Sequence, residues 1–228
     1  MLRNPHARLL LIVFLIENIG AATIGILTYY VATYIVETPD LTPVYIALYM
    51  IASIGSVPLW LPLSRRFGKK PLWIFSMLLT MVAFGAMWFL ESGSWLLISV
   101  LAVLGGIAAG CGATVGPSVQ ADVIDYDELV THERKEGSYF AAWNFVFKAA
   151  SGITIFLTGW VLEASGFVAH AEQTETAKTA ILALYSLFPF ACYALGTLVF
   201  LRFRLGEAEH QEIRDALDRR GEADSANR

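Results

Sequence analysis

Two charged residues stand inside long apolar stretches of the sequence, where a charge is costly unless it has a partner or a task. Glu17 lies in the first apolar stretch and Lys148 in the fifth. Each predicted span has one end next to the basic residues of the chain. Counted from that end at about 1.5 Å of rise per residue, Glu17 lies roughly 12 Å and Lys148 roughly 15 Å deep in the membrane. Ionisable residues at such depth mark ion or substrate pathways, or pair with one another. We expect the two to face each other, either within a functional cavity or as a purely structural ion pair.

Polar and aromatic residues adjoin both charges. Asn18 follows Glu17, while Trp143 and Asn144 precede Lys148. Asn144 lies four residues before Lys148 and therefore on the same helix face. A sugar site combines an aromatic platform with side chains that hydrogen-bond hydroxyl groups, whereas a tryptophan in a membrane helix also serves in packing or as an interfacial anchor. We predict that these five residues border one cavity.

The elements that carry these residues are predicted to be membrane-spanning helices. Of 228 residues, 56% are hydrophobic and 16% are charged, against roughly 25% charged in a soluble domain. A helix crosses a bilayer with about 20 apolar residues, and lipid offers no partner to unpaired backbone groups. We therefore predict an all-α bundle of six helices within residues 1–205. The predicted spans are 9–36, 44–63, 72–90, 95–117, 139–162 and 180–201.

The basic residues lie mostly on one side of the predicted membrane. Of the 16 Lys and Arg, only Lys148, within a span, and Lys178, in an opposite loop, fall elsewhere. Because Lys and Arg accumulate in cytoplasmic loops, we predict a multi-pass plasma (inner) membrane protein with both termini in the cytoplasm. The tail, 206–228, is predicted to form a short surface helix to about residue 220 and to be disordered beyond it.

Several kinds of chemistry are poorly served by this sequence. The four histidines lie outside the spans, so the spans offer neither a catalytic base nor a metal-binding pair. Cys111 and Cys192 lie in apolar runs and indicate neither a disulfide nor a thiolate metal site. No basic face for nucleic acid is present. We expect no enzymatic activity, no metal site and no cofactor.

The fourth span is rich in small residues, which let helix backbones approach closely. Its pairs spaced four apart are Gly106 with Gly110 and Gly112 with Gly116. We predict that all four glycines serve helix packing.

A dense mixed-charge segment follows the fourth span and is predicted to form a loop at the cytoplasmic rim. Its spacing does not fit a calcium loop, and its carboxylates can pair with nearby Arg and Lys side chains. Two interpretations stay open: a salt-bridged gate or helix cap, and a solvated loop. The candidate gate residues are Asp122, Asp125, Tyr126, Arg134, Glu136 and Gly137.

Residues 121–148 carry a resemblance to a known family. The run ADVIDYDE at 121–128, RKEG at 134–137, YF at 139–140 and WNF at 143–145, followed by Lys148, resembles the signature between the tenth and eleventh helices of the glycoside-pentoside-hexuronide:cation symporters. This family is the melibiose-permease-like branch of the major facilitator superfamily. The basic loop RRFGKK at 65–70 is similar to the loop that follows the family's eighth helix.

The resemblance extends over all six spans and implies that the chain corresponds to helices seven to twelve of a twelve-helix fold. Substrate in that fold binds between two six-helix halves. The resemblance also implies a sugar or glycoside substrate and a coupling cation, Na⁺ or H⁺. Lys148 matches the family's lysine in the eleventh helix, which is associated with the cation and sugar sites. Glu17 matches no family motif, and the family's cation-site carboxylates belong to the other half.

We therefore expect the C-terminal half of a cation-coupled sugar transporter, working by alternating access and incomplete without an N-terminal half. The sequence leaves open a truncation, a split-gene subunit or a self-associating half. The alternative is a non-transporting structural or regulatory membrane bundle derived from such a transporter. An adjacent reading frame encoding six further spans would favour transport.

The charge asymmetry predicts the outcome of a labelling experiment. Cysteines placed at Ser92 and Thr174 of an otherwise cysteine-free chain should react with an impermeant maleimide added outside the cell. Cysteines at Ser64 and Thr131 should react only after the membrane is opened. The reverse pattern would overturn the predicted orientation.

Overall fold

A computed structural model describes residues 4–226, apart from the side chains of 207, 208, 218 and 221–226. The regular elements of these described residues are all helices, and none of them is a β-strand. The helices are α1 (Pro5–Tyr34), α2 (Thr42–Phe67), α3 (Lys69–Ala86), α4 (Trp95–Thr131), α5 (Glu136–Ala164), α6 (Glu175–Leu182), α7 (Phe188–Phe200) and α8 (Glu207–Ala226). A π-helical turn, Ala183–Leu187, joins α6 to α7. Six spans long and apolar enough to cross a membrane result, with α6 and α7 forming the sixth, which confirms the predicted all-α bundle.

Local sequence explains where several helices begin and end. Asn4 precedes α1, and its side-chain oxygen accepts hydrogen bonds from the amides of His6 and Ala7 at 3.0 and 3.2 Å. Pro5 then occupies the first turn, where it costs no backbone hydrogen bond. Gly68 ends α2 with φ of 86°, a conformation that favours glycine. It lets α3 begin one residue later.

The helices pack in a series that differs from their order in the sequence. α2 lies along α4, α4 along α3, α3 along α7, α7 along α1, and α1 along α5. Within the described residues α2 and α5, the two ends of this series, do not pack extensively on each other. The bundle is therefore open on one side, between α2 and α5.

Two buried clusters hold the bundle, one at each end. The cluster at the terminal end, where α1 begins and α7 finishes, includes Trp73, Met77 and Phe200. The cluster at the opposite end includes Phe84 and Tyr185. Large apolar side chains cover much of the outer surface, as expected of a protein surrounded by lipid.

The fourth helix is longer than the sequence predicted. α4 has 37 residues, about 55 Å at 1.5 Å per residue, against a hydrocarbon core of about 30 Å. Pro117, the predicted end of the span, lies inside the helix, and Asp122 to Thr131 are helical rather than part of a loop. The prediction failed because it placed the end of the helix where the apolar residues end. A helix can continue beyond the membrane into water after its apolar stretch is finished.

The tail also contains more helix than predicted. α8 extends to Ala226, beyond the expected end near residue 220. Residues 227 and 228, the end of the segment predicted to be disordered, lie outside the described residues.

The four glycines of α4 divide between two faces. A Cβ on Gly106 would meet the carbonyl oxygen of Tyr49 and, at 2.9 Å, the Cβ of Ala52, and Gly110 lies equally close to α2. Gly112 has nothing within 4 Å of such an atom. Gly112 and Gly116 do not pack on α2 because two residues turn a helix by about 200°.

This difference predicts opposite effects of the same substitution. Gly106→Ala should destabilise the folded chain by about 1 to 3 kcal/mol, because α4 and α2 must move apart. Gly112→Ala is the matched control: it brings the same gain in helix propensity but meets no neighbour. Thermal unfolding of both purified variants in detergent measures the difference, and equal transition temperatures would contradict the close approach.

Candidate functional site

A cavity of about 450 Å³ lies in the middle of the bundle. It is lined chiefly by α1, α3 and α4, with one residue each from α2, α5 and α7. Its α4 wall consists mainly of small residues, including Gly112 and Gly116. Because these side chains are short or absent, space remains between helices that are otherwise closely packed.

Glu17 is the one carboxylate among the lining residues of this cavity. It is only 8% exposed, and its Oε1 accepts a hydrogen bond of 3.2 Å from the indole Nε1 of Trp73. Among the described side chains no Lys, Arg or His lies within ion-pair distance of it. Gly196 on α7 packs directly against this side chain, since a Cβ there would lie 3.5 Å from the Cγ of Glu17, an ordinary van der Waals contact.

Three residues of α3 face the cavity because they are spaced three and four apart. Trp73 supplies the indole, and Ser76 and Thr80 supply hydroxyl groups. Each hydroxyl donates to a carbonyl one turn earlier in its own helix, at 2.8 and 2.9 Å. Their oxygen lone pairs stay available as acceptors.

The remaining polar lining suits a ligand that carries hydroxyl groups. The Asn18 amide donates to the carbonyl of Phe14 at 2.7 Å, which leaves its oxygen as an acceptor. Gln120, Tyr49 and Tyr193 add groups that both donate and accept. Aromatic rings of Phe14, Trp73 and Phe147 lie in the same wall.

Lys148 does not pair with Glu17, contrary to the sequence prediction. Lys148 and Asn144 are exposed on the outer face of α5, and Asn144 bonds only to the carbonyl of Phe140, at 3.0 Å. Trp143 points inward, is 4% exposed and stacks on Tyr139. At about 100° per residue, Trp143 and Lys148 are separated by about 140° around the helix. Of the five predicted cavity residues, only Glu17 and Asn18 line the cavity.

The signature carboxylates lie at the terminal end and bind partners from other helices. Both oxygens of Asp122 accept from Lys69 Nζ at 2.7 Å. His210 of α8 lies 3.2 Å from Asp122 and from Asp125, and Arg214 lies 3.5 Å from Asp125. These five residues, which we call the terminal-end network, connect α3, α4 and α8.

The other predicted gate residues are exposed or pack locally. Arg134 pairs with Glu136 at 2.6 Å and with Glu128 at 3.3 Å, and the pairing with Glu136 raises the pKa of its guanidinium. Tyr126 packs edge-on against His6, and Gly137 is exposed. The expected pairing of nearby Arg and Lys with Asp122 and Asp125 is not what the structure has, because those carboxylates face α3 and α8.

Sequence reasoning missed several residues of the cavity. Trp73, Ser76 and Thr80 form a polar face on an otherwise apolar span, and this spacing was a readable signal. Gln120 stands as an uncharged polar residue near the end of the fourth span. Tyr49 and Tyr193 carry no such signal, because tyrosines are common in membrane helices near the interface.

Six apolar helices around an internal cavity are the architecture of a multi-pass membrane protein. The sequence model described as "MFS/sugar transport protein" matches residues 1–207. The chain belongs to this family, within the glycoside-pentoside-hexuronide:cation symporters of the major facilitator superfamily.

Individual relatives agree with this assignment. An uncharacterized symporter of Synechocystis is 30% identical over 71% of this chain and 31% of its own length. An inner membrane symporter of Escherichia coli is 27% identical over 78% of this chain and 39% of its own. The isoprimeverose transporter of Lactiplantibacillus pentosus is 27% identical over 86% and 41%. The chain thus matches between about a third and two fifths of the length of these relatives.

The two lysines Lys69 and Lys148 should respond differently to removal. Lys69→Ala removes the ammonium group that bonds to both oxygens of Asp122, whose side chain is 11% exposed, and should cost about 1 to 3 kcal/mol, between the values for exposed and buried pairs. Lys148→Ala removes an exposed side chain without an ion pair and should leave stability nearly unchanged. Thermal unfolding of both variants tests this, and a large loss in Lys148→Ala would restore the Glu17 pairing.

Proposed function

We propose that the chain forms the C-terminal half of a cation-coupled sugar or glycoside transporter that works by alternating access. The two six-helix halves of such a transporter rock about a central site. The N-terminal half is supplied by another chain or by a further segment of the same protein. In this arrangement the terminal end faces the cytoplasm of a plasma (inner) membrane, as the basic residues favour.

The observation that carries the proposal is a stripe on the outer face of α5. Its residues are exposed and most are small or polar, although the exposed Ile155 lies in line with them. The small or polar ones are Gly137, Ala141, Asn144, Lys148, Gly152 and Gly159. Lipid does not solvate an amide and an ammonium group well at this depth. Small residues are the ones that let a further helix approach closely.

The stripe borders the open side of the bundle, between α5 and α2. A second six-helix half on this side would cover Asn144 and Lys148 and close the cavity. The full length of each of these relatives is about two to three times the length of the segment that it shares with this chain. This difference leaves room for a partner of about six helices. The signature at 121–148 favours the C-terminal rather than the N-terminal position.

The cavity supports a sugar as the substrate. Its acceptors and donors, Asn18, Ser76, Thr80 and Gln120, suit hydroxyl groups, and Trp73 and Phe147 offer aromatic faces. One relative is an isoprimeverose transporter, which is consistent with a glycoside as the substrate here. Lys148 would take part in the cation and sugar sites only after the second half has enclosed it.

Co-expression tests the proposal. The chain should restore sugar accumulation to cells when it is produced with the N-terminal six helices of a symporter relative, and its folded yield should rise, because the stripe becomes covered. The matched control is the C-terminal six helices of the same relative, which should do neither. A chain whose yield and uptake are indifferent to both halves would support the alternative, a membrane bundle that does not transport.

A further inference from the structure

We propose that Glu17 is a coupling residue of this half, one that takes up and releases a proton during transport. This inference rests on the proposed transport function. It gives a role to a buried carboxylate that the family signature does not account for.

The surroundings of Glu17 favour a neutral acid whenever the cavity is closed. The carboxyl group is 8% exposed and has one neutral donor, the Trp73 indole, at 3.2 Å. An ionised carboxylate without a cation is costly in such an interior, whereas the neutral acid is not. The bond to Trp73 occupies Oε1, so Oε2 can carry the proton.

The other titratable groups near Glu17 are two phenols and a thiol, which are neutral near pH 7 at their ordinary pKa values. They are the phenol of Tyr49 on α2, the thiol of Cys111 on α4 and the phenol of Tyr193 on α7. α3 presents Trp73, Ser76 and Thr80 to the cavity, and α5 presents Phe147. No other described residue of the lining carries a fixed charge. A proton on Glu17 therefore takes the net charge of the cavity lining from −1 to zero.

Within this half, the contacts of the Glu17 carboxyl group suit a proton better than a metal cation. Hard monovalent and divalent cations bind several oxygen atoms at once. The described residues contain no group of three or more His, Cys, Asp or Glu side chains that could hold a metal. Trp73 of α3 presents a donor N–H to the Glu17 carboxylate, and the positive end of that group opposes a cation.

The transport step then needs only proton exchange with water in the cavity. When the cavity is open to one side, the carboxylate takes one proton from a hydronium ion and leaves a water molecule. The neutral acid persists while the halves close around the bound sugar. When the cavity opens to the other side, the acid returns its proton to water there and the carboxylate is regenerated.

Trp73 provides a reporter of this equilibrium in the purified chain, without any need for transport. Its indole bonds directly to Glu17, so its fluorescence should change as Glu17 ionises when the pH is raised. The signal assigned to Trp73 is the difference between the chain and its Trp73→Phe variant. A one-proton transition is expected in this difference and should be lost when Glu17→Gln is added to both chains.

Three control variants make the assignment specific. Cys111→Ala and Tyr193→Phe should keep the transition, which excludes the neighbouring thiol and phenol. Glu17→Asp keeps a carboxyl group and should keep a transition at a shifted pH, even if Glu17→Gln folds poorly. A transition that survives Glu17→Gln in a folded chain overturns the assignment.

A transport experiment completes the test in the transporter reassembled with an N-terminal half. Glu17→Gln should abolish sugar accumulation driven by a pH gradient but keep equilibrium exchange of labelled sugar, since exchange needs no proton release. Accumulation that survives Glu17→Gln, or loss of exchange together with accumulation, would overturn the proton role. If the unsubstituted assembly transports no sugar, the proposed function fails, and the fluorescence titration alone then decides whether Glu17 binds a proton.

Discussion

The close approach of α4 to α2 is the contact on which the rest of the structure depends. Lipid is as apolar as a leucine side chain, so helices in a membrane gain little from hiding apolar surface and associate where their shapes fit. Gly106 and Gly110 give α4 a surface that fits the backbone of α2. That fit fixes the rotation of α4, and the rotation turns Gly112 and Gly116 toward the centre. The cavity therefore results from a second row of small residues on α4, which leaves space at the centre of the bundle.

Hydrogen bonds from side chains to backbone carbonyls connect the helices at this depth. Trp60 of α2 donates to the carbonyl of Ile107 on α4 at 2.9 Å, and Thr154 of α5 donates to that of Ile19 on α1 at 3.0 Å. Such bonds satisfy polar atoms where no water is available. The carboxyl group of Glu17 is an exception: among the described residues its donor is a side chain, Trp73, and no Lys, Arg or His balances its charge. The bundle tolerates this exception at the wall of its cavity.

The sequence was sufficient to predict the number of spans, the helical class and the family, because composition and an ordered motif carry that information locally. It was not sufficient to predict which residues meet. Trp73 reaches Glu17 across 56 positions of the chain, and that contact depends on the order in which helices pack. Lys148 was placed in a pair because depth alone was counted, whereas the phase of α5 turns it outward. The length of α4 was underestimated because the helix continues into water after its apolar residues end.

The terminal-end network bears on how such a half moves. A gate between halves must break and re-form its contacts as the halves rock. Lys69, Asp122, Asp125, His210 and Arg214 belong to α3, α4 and α8 of this one chain, so a rigid-body movement leaves their distances unchanged. The network therefore fastens three elements of a single half, rather than joining two halves. The contacts that change as the two halves move are therefore expected on the exposed stripe of α5, which a second half would cover, and around Glu17 in the cavity.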